Sequence, residues 1–97
     1  MPGSASPHQK IRVLLVDSNA DFVSAVSRFL QHRSAGQVSL VGNAVRGEGA
    51  LPQARDLKPE VILLDLNLPG LPALQVIPQL KVALPQVRII VLTLYDD

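Results

Sequence analysis

The sequence contains no cysteine and no tryptophan, and only 3% of its 97 residues are aromatic. The absence of cysteine excludes a disulfide scaffold and a thiolate metal site. It is also compatible with a reducing compartment, and we expect a cytoplasmic protein. Because aromatic residues are scarce, the core of any folded domain must be built from Val, Leu, Ile and Ala.

The sequence also lacks a strong net charge and a long apolar run. Nine basic and eight acidic residues give a net charge of +1, which provides no electrostatic basis for binding nucleic acid or an anionic membrane. No apolar run approaches the roughly 20 residues of a membrane span. Residues 1–9 are rich in Pro, Gly, Ser and Ala and lack the apolar centre of a secretory signal. We expect them to form a flexible leader ahead of one ordered domain, residues 10–97, with no membrane partner.

The hydrophobic residues, 47% of the chain, follow two alternating patterns. Nearly continuous apolar runs are typical of strands that are buried on both faces of a parallel sheet. Apolar stripes with helical spacing separate these runs. The strands are predicted at Lys10–Asp17, at Val38–Val41, as VILLD within Glu60–Asp65, and at Arg88–Thr93, and the helices at Ala20–Arg33, Gly47–Leu57 and Ala73–Leu84. This βαβαβαβ order predicts an α/β fold with helices on both faces of an open parallel sheet.

Several local expectations follow for the helices and loops. The apolar stripe of the first helix contains Phe22, Val23, Val26, Phe29 and Leu30, and the inward residues of the third helix are Leu74, Ile77, Leu80 and Leu84.

Gly42 and Asn43 are expected to follow the second strand as loop residues. Ser18 or Asn19 is expected to cap the first helix. Pro52 either marks a late start of the second helix or distorts it, and Pro78 should kink the third helix.

Three of the predicted strands end in residues that carry polar oxygens. These are Asp17 with Ser18, then Asp65, then Thr93. An aspartate at a strand end is often only a turn former or a helix cap, but three matching strand ends favour a shared site. If the first and third strands are neighbours, Asp17 and Asp65 converge, and two adjacent carboxylates repel unless a cation or a proton lies between them. Mg²⁺ is the expected cation because it prefers oxygen ligands.

The segments LLVDSNADF, PEVILLDLNLPG and IIVLTLYDD resemble the receiver domain of bacterial two-component response regulators, of the kind that precedes a helix-turn-helix DNA-binding domain. The resemblance implies a flavodoxin-like, doubly wound parallel sheet with strand order 2-1-3-4. It also implies that a sensor histidine kinase phosphorylates Asp65 in a Mg²⁺-dependent way. Asp17, Asp65 and the backbone carbonyl of Asn67 would hold the metal, and Thr93 would donate a hydrogen bond to the phosphoryl group.

The sequence departs from the family pattern at several positions. Ser18 replaces the second residue of an acidic pair, so we expect weak or water-mediated metal binding there and a reduced Mg²⁺ affinity. Ala73 stands where the family usually has glycine, and alanine is acceptable only if its φ angle is negative. The helical prolines named above are a further departure.

The resemblance also predicts a receiver that lacks its fourth helix, fifth strand and fifth helix, and with them the family's phosphate-pairing lysine and its aromatic switch residue. Tyr95 comes too early in the chain to be that aromatic residue. An incomplete sheet would expose a strand edge, so we expect a homodimer or a domain-swapped oligomer.

Three functional hypotheses remain open. The first is a phosphoacceptor domain that regulates transcription through an absent output domain, which would also supply any DNA contact. Such a domain would not be an enzyme and would have at most autophosphatase activity. The second is a non-phosphorylated pseudo-receiver that acts as a dimerisation or protein-interaction module. The third is a small metal- or phosphate-dependent hydrolase, which would need a general acid or base near Asp65, and the sequence offers no candidate.

Overall fold

Strands and helices alternate along residues 10–33 and 35–93, which are the residues described by a computed structural model. The elements are β1 (Ile11–Val16), α1 (Ala20–Arg33), β2 (Val38–Ala44), α2 (Gly47–Leu57), β3 (Val61–Asp65), α3 (Ala73–Ala83) and β4 (Arg88–Leu92). None of the helices in this part of the chain has the length and apolarity needed to cross a membrane. The predicted leader, His8 and Tyr95 lie outside the described residues.

The four strands form one sheet in the order β2-β1-β3-β4, and every neighbouring pair is parallel. This confirms the predicted flavodoxin-like order. The chain moves outward from β1 to β2 and then returns to the other side of β1 to form β3. The gap between the carboxyl ends of β1 and β3 is therefore the topological switch point, where open α/β sheets bind their ligands.

One face of the sheet carries the main core. Leu14, Val16, Ile62 and Leu64 are fully buried in a single cluster that also contains residues of α2 and α3. These four alternate residues on β1 and β3 share a face because successive side chains of a strand point to opposite sides. Aliphatic side chains fill this layer, as the scarcity of aromatic residues predicts.

The opposite face is covered much less completely. Leu15 of β1 is fully buried, but α1 has no buried residue, and Phe29 is 62% exposed. The prediction that Phe29 belongs to an inward stripe is wrong, although the other four residues of that stripe are half-buried. Among the described elements, α1 packs mainly against β2, an edge strand, so part of its apolar surface extends past the sheet.

The second strand continues through Gly42 and Asn43, so the prediction that they form a loop is wrong. The pairing of β1 with β2 shifts by one residue, because Val13 pairs with Leu40 and Leu14 pairs with Gly42. A Cβ atom at position 42 would lie only 2.6 Å from Leu57 Cδ1. The absence of a Cβ at Gly42 thus leaves room for the Leu57 side chain of α2 against the strand.

The apolar face of α3 is rotated relative to the prediction. Ala73, Val76 and Leu80 are buried, whereas Leu74 is 76% exposed, so its assignment as an inward residue is wrong. A helix with apolar residues on most of its circumference does not fix its own orientation from sequence periodicity. The packing of α3 against α2 decides which residues face inward.

The two helical prolines lie inside continuous helices. Pro52 falls in α2, which begins at Gly47, and Pro78 falls in α3. A late start of α2 at Pro52 is therefore excluded. Both prolines are exposed. The proline ring, and the carbonyl group four residues earlier that finds no N–H at the proline, therefore face solvent instead of the core.

Candidate functional site

Asp17 and Asp65 lie side by side at the switch point of the sheet. Val16 of β1 pairs with Leu64 of β3, and each aspartate is the next residue of its chain. Neighbouring parallel strands are about 4.8 Å apart, so the two residues begin adjacent connections. Asp17 is 2% exposed and Asp65 is 8% exposed. The predicted convergence of these two carboxylates is therefore present in the structure.

Both carboxylates accept the same kind of local hydrogen bond. Asp17 Oδ1 accepts the backbone N–H of Asn19 at 2.8 Å, and Asp65 Oδ1 accepts the backbone N–H of Asn67 at 3.0 Å. This is the turn-forming role that aspartate often has. It occupies one oxygen of each carboxylate. In the described part of the chain, no hydrogen-bond donor or cation contacts the other oxygen of either residue.

The donor set of this pair is suited to Mg²⁺. Two nearly buried carboxylates repel each other when both are ionised. In residues 10–33 and 35–93 the one salt bridge joins Arg46 to Glu48, so no basic side chain neutralises the pair. The same residues contain no group of three or more His, Cys, Asp or Glu side chains that could hold a metal ion. The two carboxylates therefore suit a cation that binds few protein oxygens and keeps several water ligands, as Mg²⁺ does.

The other predicted site residues lie at the same edge of the sheet. Thr93 directly follows β4, and the backbone N–H of Leu66 donates to the carbonyl of Leu92 at 3.1 Å, which ties the ends of β3 and β4 together. Ser18 and Asn67 follow the two aspartates and are exposed, as is Thr93. Ser18, Asn67 and Thr93 thus lie in the connections at the edge of the sheet that carries the two aspartates.

Asn19, and not Ser18, caps α1. Asn19 Oδ1 accepts the backbone N–H of Phe22 at 3.0 Å, which satisfies one of the free donors in the first turn of the helix. Ser18 is thereby left with no capping role and remains available at the site. Ala73 has no positive φ angle, so alanine is accepted where the family usually has glycine.

Asn43 supports the end of β1, and sequence reasoning missed this role. Its Nδ2 donates to the carbonyl oxygens of Leu15 at 2.9 Å and Asp17 at 3.1 Å. The side chain of Gln53 in α2 donates to the backbone carbonyl of Asn43 at 3.2 Å. The signal in the sequence was an amide at the end of a short apolar strand. Its partners lie 26 and 28 residues away, so the signal alone does not identify them.

Glu48 supports the connection that follows Asp65, and it too was not singled out from the sequence. Its Oε1 accepts the backbone N–H of Leu71 at 3.1 Å, and its Oε2 forms a salt bridge with Arg46 Nε at 2.8 Å. The hydrogen bonds, with that from Arg46 the strongest, lower the pKa of Glu48 to about 2. Glu48 is therefore ionised throughout the neutral pH range.

Comparisons with known proteins agree with this geometry. Residues 13–97 match the model of the response regulator receiver domain. The response regulator GacA of Pseudomonas viridiflava is 34% identical over 90% of this chain, and VraR of Staphylococcus aureus is 32% identical over 90%. A protein-glutamate methylesterase/protein-glutamine glutaminase of Maricaulis maris is 34% identical over 92%. The chain spans 40%, 41% and 22% of these three relatives, respectively.

Solved structures show the same similarity. The signal receiver domain of the putative response regulator NarL from Mycobacterium tuberculosis superimposes with a TM-score of 0.79 at 32% identity, over 92% of this chain and 70% of that one. The response regulator domain of Thermotoga maritima CheB gives a TM-score of 0.76 at 29% identity, over 88% of this chain and 61% of that one. Together with the family match over residues 13–97, these relationships establish that the chain belongs to the response regulator receiver domain family, a family of regulatory signalling domains.

Proposed function

We propose that this chain is a phosphoacceptor domain in which Asp65 accepts a phosphoryl group from a phosphohistidine of a sensor histidine kinase. The observation that carries this proposal is the pair of nearly buried carboxylates at the switch point, which has no basic partner among the described residues. Such a pair suits a site that binds a cation and then an anion. Membership of the receiver family supports the same reading.

Asp65 is the proposed nucleophile because it stands at the acceptor position of the receiver family, directly before the LNLPG segment. One of its oxygens is held by the Asn67 N–H and the other is free. The free oxygen attacks phosphorus, the bond from phosphorus to the histidine nitrogen breaks, and an aspartyl phosphate forms. Asp17, Asp65 and the backbone carbonyl of Asn67 would hold Mg²⁺, which neutralises charge on the transferring group. Phosphoryl transfer depends mainly on such alignment and charge neutralisation.

Thr93 and Ser18 have supporting roles in this proposal. The Thr93 hydroxyl, at the end of β4, would donate a hydrogen bond to a phosphoryl oxygen. Ser18 would contact the metal weakly or through a water molecule, because a neutral hydroxyl attracts a cation less than a carboxylate does. We therefore expect lower Mg²⁺ affinity than in a receiver with an acidic residue at this position.

In the complete protein we propose that this domain controls transcription in the cytoplasm through an output domain that supplies any DNA contact. The relatives GacA and VraR are response regulators, which supports regulation by phosphorylation.

Within the described residues β4 is an edge strand. Its unpaired backbone groups and the exposed Ile90 and Val91 favour association with a second copy, by edge pairing or domain exchange. Sedimentation that shows only a monomer at high concentration would contradict this association.

The second candidate is a pseudo-receiver that binds partners without phosphorylation. Ser18 favours it, because the described residues bring two carboxylates together and not three. The two candidates make opposite predictions for the chain incubated with acetyl phosphate and Mg²⁺. The phosphoacceptor gains the mass of one phosphoryl group, and EDTA prevents the gain. A pseudo-receiver shows no adduct under either condition.

A further inference from the structure

The connection between β3 and α3, residues 66–72, lies against the first turn of α2. The backbone N–H of Gly47 donates to the carbonyl of Pro69 at 3.1 Å, and Glu48 Oε1 accepts the N–H of Leu71 at 3.1 Å. We call residues 66–72 the acceptor loop because they directly follow Asp65. Two hydrogen bonds thus join the acceptor loop to a helix that is about 20 residues earlier in the sequence.

The contact is close enough to require glycine on both sides. A Cβ atom at Gly47 would collide with the backbone carbonyl of Leu71. A Cβ atom at Gly70 would collide with the carboxylate of Glu48, and Gly70 also has a φ angle of +81°, which disfavours other residues. The acceptor loop therefore approaches the backbone of α2 at Gly47 and the side chains of Arg46 and Glu48 at Gly70.

Arg46 fixes the Glu48 carboxylate in this contact. Its Nε bonds to Oε2 at 2.8 Å, so Oε1 remains directed at the Leu71 N–H. The side chains of Arg46 and Glu48 are each 54% exposed, and neither belongs to the hydrophobic core. The pair thus supports the acceptor loop and does not take part in the packing of the hydrophobic core.

The acceptor loop contains Asn67, whose N–H orients Asp65 and whose carbonyl is the proposed metal ligand. We propose that Glu48 is a positioning residue: by holding Leu71, its carboxylate keeps the acceptor loop in the shape that binds Mg²⁺. This inference rests on the proposed function and adds to it a specific residue outside the metal-binding group. It assigns Glu48 no contact with the metal or the phosphoryl group.

The test compares Glu48→Ala with Glu48→Gln in the 97-residue chain. Alanine removes the acceptor for the Leu71 N–H, whereas glutamine keeps one carbonyl oxygen that can accept it but replaces the oxygen that accepts from Arg46 by a donor. Asp56→Ala is the matched control, because it removes an exposed carboxylate from the last turn of the same helix. Thermal unfolding of each variant establishes that it is folded.

Two readouts are used. Isothermal titration calorimetry measures the dissociation constant of Mg²⁺, and hydrogen exchange of the Leu71 amide, followed by NMR without metal, measures the contact itself. Glu48→Ala should weaken Mg²⁺ binding about tenfold, as loss of an outer support of a metal site does. It should also speed Leu71 exchange about fivefold, as expected for one lost hydrogen bond. Glu48→Gln should show smaller effects than Glu48→Ala because it retains one acceptor oxygen, and Asp56→Ala should stay within about twofold of the wild type because Glu48 is intact.

The inference is overturned if Glu48→Ala binds Mg²⁺ as tightly as the wild type. It is also overturned if Asp56→Ala weakens Mg²⁺ binding as much as Glu48→Ala, because the general charge of the helix and not the Leu71 contact would then matter. A wild-type chain that binds no Mg²⁺ overturns the proposed metal site and this inference together. Failure of the inference alone is therefore recognisable, because the wild type then binds and all variants bind equally.

Discussion

The two connections that begin at Asp17 and Asp65 share their first step and then differ. In each, the aspartate ends a buried strand and accepts the backbone N–H of the residue two positions later. After Asp17 the chain enters α1 at once, because Asn19 is already the helix cap. After Asp65 it makes the longer acceptor loop before α3 begins at Ala73.

Different parts of the protein also support the two connections. Asn43 of β2 holds the backbone at Leu15 and Asp17, whereas Glu48 of α2 holds the acceptor loop. The local turn is thus the same, and the surroundings distinguish the two carboxylates. Asp17 is fixed between a strand and a helix start, which suits a rigid metal ligand. Asp65 adjoins a longer loop, which contains Asn67, the residue whose carbonyl is the proposed metal ligand.

Asp17→Asn, which changes the connection after β1, is expected to have the largest effect. Asparagine keeps the acceptor for the Asn19 N–H and removes the charge, so Mg²⁺ affinity measured by calorimetry should fall about tenfold or more. In EDTA the same change should raise the thermal unfolding midpoint, because repulsion from Asp65 is relieved.

Asp21→Asn is the control for this experiment, since Asp21 is an exposed acid in the first turn of α1. It should leave Mg²⁺ affinity within about twofold of the wild type, because solvent screens its charge. Equal losses in the two variants would mean that general charge, and not a ligand at Asp17, governs the affinity.

The next effect is on stability and is expected from Asn43→Asp, which replaces the amide donor that supports the first connection by an acceptor. The carboxylate presents an acceptor to the carbonyl oxygens of Leu15 and Asp17 and adds charge beside Asp17. The free energy of unfolding measured in urea should fall by about 1–3 kcal/mol. Asn19→Asp is the matched substitution in the same connection and should change it by less than about 0.5 kcal/mol, because aspartate is an equally good helix cap. Similar losses at both positions would refute the role assigned to Asn43.

The smallest effect is expected when a negative charge is added to the first connection at position 18. Ser18→Asp supplies a third carboxylate, so Mg²⁺ affinity should rise by about threefold to tenfold as the ligand charge increases. The gain should be smaller than the loss in Asp17→Asn, because position 18 is exposed and position 17 is almost fully buried. Calorimetry on the two variants compares them directly, and no gain would show that position 18 does not face the metal.

Much of the fold was predictable from the sequence because each strand and helix has its own pattern. The bounds of α1, α2 and β3 match the prediction, and those of β1, β2, α3 and β4 differ by one to three residues. The errors at Phe29, Leu74 and Gly42 share one cause. Whether an apolar residue is buried, or a glycine continues a strand, depends on which element packs beside it, and that information lies elsewhere in the chain.

The candidate site divides in the same way. Asp17, Asp65 and Thr93 were identifiable because each follows an apolar strand, and the order of the strands then brings their ends to one edge. Asn43 and Glu48 were not identifiable, because the backbone groups that they support at the site are more than 20 residues away and carry no residue identity. Sequence patterns thus predict which side chains reach this edge of the sheet better than they predict the residues that support its backbone.

The most direct test of the central claim is to locate the phosphoryl group. The chain is incubated with acetyl phosphate and Mg²⁺ and then treated with borohydride, which reduces an aspartyl phosphate to homoserine, and the peptides are mapped by mass spectrometry. The account predicts homoserine at position 65, unmodified Asp17, and no conversion in Asp65→Asn. Homoserine at position 17, or no conversion at either aspartate, would contradict it.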